Sequence, residues 1–127
     1  MEKTQPIRHF RDLVVYQRAF KAAMKVFDLT NDFPQSERFS MVDQIRRSSR
    51  SVCSNLAEGW RKRRYELVFK NKISDAMQEA SETQSWLEFA LSCQYISLET
   101  FTALDDEYEQ IIAMLNAMDI NAEKFCF

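Results

Sequence analysis

This sequence predicts an all-α fold, an antiparallel up-down-up-down four-helix bundle, and three observations carry that expectation. Its 127 residues include one glycine and two prolines, residues that sheets and tight turns use freely and long helices exclude. Apolar side chains recur at steps of three and four in four separate segments, the period of an amphipathic helix. The breaks between segments are short, so consecutive helices should lie antiparallel, about 20° from parallel. With 46% hydrophobic residues, the chain is sized for one domain with one core over residues 1–127.

The first helix is expected over residues 12–31, where Leu13, Tyr16, Phe20, Ala23 and Phe27 share one side. Pro34 disfavours helical geometry at Phe33, and Ser36 is placed to cap a second helix over residues 37–60. That helix has Val42, Ile45, Ser49, Val52 and Leu56 along its seam and meets Gly59, the natural left-handed terminator. The third and longest, over residues 65–94, repeats the pattern through Phe69, Ile73, Ala76, Ala80, Thr83, Leu87 and Ala90. Ser97 is a candidate cap for the fourth, over residues 98–119, which carries Phe101, Leu104, Tyr108, Ile111, Leu115 and Met118. The apolar ending Phe125-Cys126-Phe127 should dock on its own bundle or on a second copy's.

Several function classes are excluded on this reading. No apolar run approaches the roughly 18 residues that cross a bilayer, and MEKTQPIRHF lacks the apolar stretch of a signal peptide, so no membrane association and a cytoplasmic location are expected. Cys53, Cys93 and Cys126 are odd in number and widely separated, which predicts free thiols. The lone histidine, His9, precedes the first helix, so a dimetal centre of Glu-x-x-His pairs cannot be built. One glycine is too few for a phosphate-cradling loop. Asn55 and Gln84 are expected to hydrogen-bond between helices, and neighbouring acids such as Asp105 and Asp106 point in different directions. No catalytic residue, metal site or cofactor is therefore expected, and the chain is read as non-enzymatic.

Charge is more informative. The net charge of −2 hides ten cations against three acids between Arg38 and Lys72, and one cation against eleven acids from Ile73 onward. At about 100° per residue, Arg46, Arg50, Arg61 and Arg64 fall within roughly 60° of one another if the helix continues past Gly59, with Arg47 further round. Arg61 fits the negative end of its helix dipole, but Arg63 and Arg64 precede the next helix, where cations are mildly unfavourable. Three compensations are open: solvation of a loop, nucleic-acid phosphates, or carboxylates of another subunit. Phosphate contact would use Arg46, Arg47, Arg50, Arg61, Lys62, Arg63 and Arg64, with Trp60 and Tyr65 stacking on bases. Subunit contact would set this basic face against Asp75, Glu79 and Glu82 of the third helix, a head-to-tail arrangement that can close into a ring.

The segments HFRDLVVYQRAF (His9 to Phe20), QIRRSSRSVCSNLAEG (Gln44 to Gly59) and EASETQSWL (Glu79 to Leu87) closely resemble the four-helix-bundle family of 23S rRNA-intervening sequence proteins. The likeness extends over nearly all of the chain except the last helix and tail. It matches Gln44, the Arg46-Arg47 pair, Ser54-Asn55 and Glu58-Gly59 to family motif positions, while Cys53 stands where many members have proline and Arg64-Tyr65 where many have Ser or Thr. The resemblance implies a bacterial homopentameric ring of bundles, with some members encoded inside insertions of large-subunit ribosomal RNA genes. A related branch, the accessory variability protein of diversity-generating retroelements, is similar in fold and implies nucleic acid and a protein partner as binding classes.

Overall fold

The computed structural model describes residues 6–127. Its four helices are α1 (Val14–Thr30), α2 (Met41–Arg61), α3 (Glu66–Ser92) and α4 (Leu98–Ile120), with 3-10 turns at Phe10–Asp12, Gln35–Glu37 and Ala122–Lys124. α2 packs on α1 and α3, and α4 packs on α3 and α1, which is the up-down-up-down bundle. Among the described residues there are no strands.

Helix ends follow local hydrogen-bonding demand. Before α1, the His9 ring nitrogen accepts from the Arg11 amide at 3.2 Å and the Asp12 carboxylate accepts from the Arg8 and His9 amides at 3.0 Å each. His9 is thus a half-buried capping residue. α2 begins later than predicted because Ser36 is taken into the 3-10 turn, whose backbone bonds run from Glu37 to Pro34 at 2.9 Å and from Ser40 to Glu37 at 3.1 Å. Ser97 does cap α4, its hydroxyl accepting from the Thr100 amide at 3.1 Å.

The end of α2 also differs from expectation. Gly59 is helical, with no positive φ, so it does not terminate the helix. Its missing Cβ has another use: one built there would sit 3.0 Å from Lys72 Cβ on α3. Termination falls to Arg63, which folds back to donate Nε–H to the Trp60 carbonyl at 2.8 Å, with its guanidinium 3.6 Å from the Trp60 ring centroid. That carbonyl is among the last-turn groups that otherwise lack partners.

The predicted seams of α2 and α3 are buried throughout, as is that of α4 apart from half-buried Phe101. α1 needs a correction in part, since Leu13 and Ala23 are buried as expected but the rings are not. Its fully buried line is Val15, Ala19, Ala22 and Val26, while Phe20 is 51% exposed and Tyr16 and Phe27 are half-buried. On α1 alanines and valines take the inward line and the aromatics stand one position round, at the border with α2.

Polar contacts fix the helix pairs. Buried Ser48 and Thr83 hydroxyls meet at 2.8 Å between α2 and α3. Arg18 of α1 forms a two-pronged bond to Glu107 of α4 at 2.8 and 2.9 Å, and also donates to Gln110. Gln84 donates from α3 to Asp105 at 3.2 Å and Glu109 at 3.1 Å on α4, whereas Asn55 bonds within α2, to the Ser51 carbonyl. The tail docks on its own bundle, with Phe125 stacked on Phe69 at 6.1 Å, although Phe127 stays 82% exposed.

Three outcomes are expected. Arg63→Ala removes a helix-end hydrogen bond and the cover over Trp60, and should lower stability by about 1–2 kcal/mol in urea unfolding, with a red-shifted Trp60 emission. Tyr108 is fully buried with its hydroxyl unpartnered among the described residues; Tyr108→Phe should therefore leave the unfolding free energy measured in urea unchanged or raise it by up to about 2 kcal/mol. The Arg18 bond holds the Glu107 carboxyl below its ordinary 4.5. A depressed carboxyl stabilises the fold above its unfolded pKa, and that contribution is lost as pH falls through the folded value. Since both side chains are about a third exposed, Arg18→Ala should cost under about 1 kcal/mol at pH 7, and the difference should vanish below the folded Glu107 pKa in urea titrations across pH.

Candidate nucleic-acid interface

Along the outer side of α2, a shallow groove of about 580 Å³ is lined by Arg38, Phe39, Val42, Asp43, Arg46, Arg47, Arg50, Ser51 and Ser54. Four guanidiniums share it with one carboxylate. None of the four has a carboxylate within ion-pair distance among the described residues, where the only such pairs are Arg18–Glu107 and Lys72–Glu58.

The groove is organised from α1. Phe27, displaced from the bundle axis, offers its ring to Arg46 at 4.6 Å and Arg50 at 5.9 Å. Arg46 is further held at the C-terminal end of α1, donating Nε–H to Thr30 Oγ1 at 2.8 Å and Nη2–H to Asn31 Oδ1 at 3.0 Å and the Phe27 carbonyl at 3.4 Å. A cation there also meets the negative end of the α1 dipole. Of five guanidinium N–H groups, the two on Nη1 remain for an outside acceptor. Arg46 therefore serves the fold and still faces the groove. Arg47 and Arg50 are exposed, with no side-chain hydrogen bond among the described residues.

The predicted basic surface divides in two. From Arg46 to Arg61 is about 22 Å along the helix. α2 does continue past Gly59, which keeps Arg61 on the Arg46–Arg50 side, but it ends before Arg64, which is consequently off that stripe. Trp60 is only 4% exposed beneath Arg63 and cannot stack on a base. The puzzle of Arg63 is answered inside the chain, by the end of α2. Arg61, Lys62 and Arg64 remain exposed, with Arg64 6.0 Å from the exposed ring of Tyr65.

The motif positions have mainly structural uses. Glu58 pairs with Lys72 of α3 at 3.0 Å, next to the close approach at Gly59. Ser54 and Asn55 both bond to the Ser51 carbonyl, and Gln44 is half-buried. Of the acidic stripe, Asp75 is exposed and Glu79 and Glu82 are half-buried. Burial and then the neighbouring Glu82 push the Glu79 carboxyl up, while the charge of Arg47 draws it down. This stripe thus lies near the basic groove of its own chain.

Arg38 and Phe39 were not among the expected contact residues. The expected second helix, over residues 37–60, takes in both, whereas the structure leaves them in the turn before α2. The adjacent cation and aromatic just before the Val42 seam were the available signal.

Comparison with known proteins agrees with this architecture. The chain superimposes on the crystal structure of a protein of unknown function from the S23 ribosomal protein family of Bacteroides thetaiotaomicron, with a TM-score of 0.75 and 26% identity over 84% of this chain and 95% of that one. No curated protein matches the sequence. The profile of the 23S rRNA-intervening sequence proteins matches residues 11–117. The matched span contains all of α1, α2 and α3 and most of α4, and on that basis the chain belongs to the 23S rRNA-intervening sequence protein family.

Proposed function

We propose that the protein is a non-enzymatic, self-associating bundle that binds RNA or DNA through the α2 groove. The observation carrying this reading is the set of Arg38, Arg46, Arg47 and Arg50 around one groove, where Asp43 is the one acid in the lining and none of the four forms an ion pair among the described residues. Guanidiniums crowded on one face without ion pairs repel one another, and phosphate relieves that repulsion while accepting the N–H groups they still have free. The cluster Arg61, Lys62 and Arg64 adds a second contact about 22 Å away. Trp60 and Arg63 take no part.

A second reading uses the same arginines for assembly. The raised Glu79 carboxyl, beside Glu82, favours it, because a cation from another copy would relieve the acidic stripe as phosphate would relieve the basic one. Copies joined head to tail in this way can close into a ring, and the family resemblance implies a homopentameric one.

Affinity for a structured ribosomal RNA fragment and for a DNA duplex, each at about 50 and 200 mM salt, tests the first reading. With three phosphates neutralised per protomer, the fourfold rise in salt should weaken binding by roughly 20- to 40-fold. The double substitution Arg47→Ala and Arg50→Ala should reduce affinity at least tenfold and flatten the salt slope, with the sedimentation mass unchanged. A fall in mass, or wild-type protein that binds neither ligand at low salt, gives the groove to subunit contact instead.

A further inference from the structure

The geometry points to the α2 groove as a site for single-stranded nucleic acid, with Phe39 stacking on an unpaired base at its mouth. This rests on the nucleic-acid reading above and adds to it the form of the ligand. Phe39 is 86% exposed, more than any other large apolar side chain among the described residues. A single exposed apolar residue is ordinary, but this one lines the groove that gathers the four arginines, and the Arg38 guanidinium lies 5.2 Å from its ring centroid. An uncovered aromatic face and a phosphate-binding track thus share one surface.

Bases in a duplex are already stacked on both faces and have none to offer a flat ring. Bases in a single strand or loop do, and stacking on an aromatic is tolerant of sequence because every base has a π-face. The helical track from Met41 to Arg50 is about 14 Å long, the length of about four stacked nucleotides at 3.4 Å each. A strand lying along it would bring successive phosphates to Arg47, to Nη1 of Arg46 and to Arg50 while a base at one end met Phe39. Asp43 lines the same groove about one turn before Arg46 and Arg47, which disfavours a phosphate at that point and favours the stretch from Arg46 to Arg50.

The test measures anisotropy of labelled 12-nucleotide RNA and DNA single strands, and of the matching duplexes, at about 50 mM salt, with wild-type protein, Phe39→Ala and Phe39→Trp. Wild type should bind the strands more tightly than the duplexes. Phe39→Ala should weaken single-strand binding about tenfold or more and leave duplex binding unaltered, and Phe39→Trp should retain it. The RNA and DNA arms show which sugar the groove prefers. Equal losses on strand and duplex, or no loss on the strand, overturn the stacking role while the groove's affinity for phosphate stands. A drop in sedimentation mass of Phe39→Ala assigns the ring to contact between copies and overturns it as well. Absence of binding to every probe by wild type removes this inference together with the reading beneath it.

Discussion

How closely the helices approach determines nearly everything else in this molecule. Ala19 and Ala22 on α1, Ser48, Ser49 and Gly59 on α2, and Ala76, Ala80 and Thr83 on α3 occupy buried positions where helices face one another. Side chains this small let backbones come near, to the point that a Cβ at Gly59 would press on Lys72 Cβ. On α1 alanines and valines take the inward line and the rings lie at the border with α2, while Phe69 of α3 and Tyr108 of α4 fill the core fully buried. The hydroxyls that closeness buries must then find partners at once. Ser48 and Thr83 meet each other, while Ser49 turns back to the Arg46 carbonyl of its own helix.

That displacement links packing to the proposed function. Phe27 is half-buried because α1 gives the axis to alanines, and its outward face becomes the platform on which Arg46 and Arg50 rest. The arginines of this chain therefore have several employments. Arg18 joins α1 to α4, Arg63 ends α2, Arg46 closes α1, and Arg38, Arg47 and Arg50 are left facing outward. Neighbouring cations that look alike in a sequence are separated by whether a carbonyl or carboxylate of the same chain lies within reach.

The sequence was legible where one strong pattern dominated. The seams of α2, α3 and α4 could be read because every buried position is apolar or small at helical spacing, and Ser97 could be read as a cap because nothing competes for its hydroxyl. In the seam of α1 Leu13 and Ala23 are buried as expected, and Tyr16, Phe20 and Phe27 mislead because large rings carry more apparent hydrophobicity than the alanines beside them. Gly59 was misread because the scarcity of glycine suggests a turn, whereas this one makes room for another helix. At Arg63 the relevant partner is a carbonyl three residues back, which only the path of the chain after the helix brings within reach. Trp60 was lost as a stacking platform for the same reason, and Arg38 and Phe39 were missed because a groove that runs from the turn before α2 onto the helix has no single period.

Phe27 has one further consequence, for how this chain could drift through sequence space. The bundle asks of that position only that it be apolar and fairly large, a demand that leucine or methionine meets as well. The arginines ask for a flat π-face, which neither of those supplies. A lineage that stopped using the groove could exchange the ring for an aliphatic side chain without harm to folding, so the residue at this place records whether the surface above it is still in use.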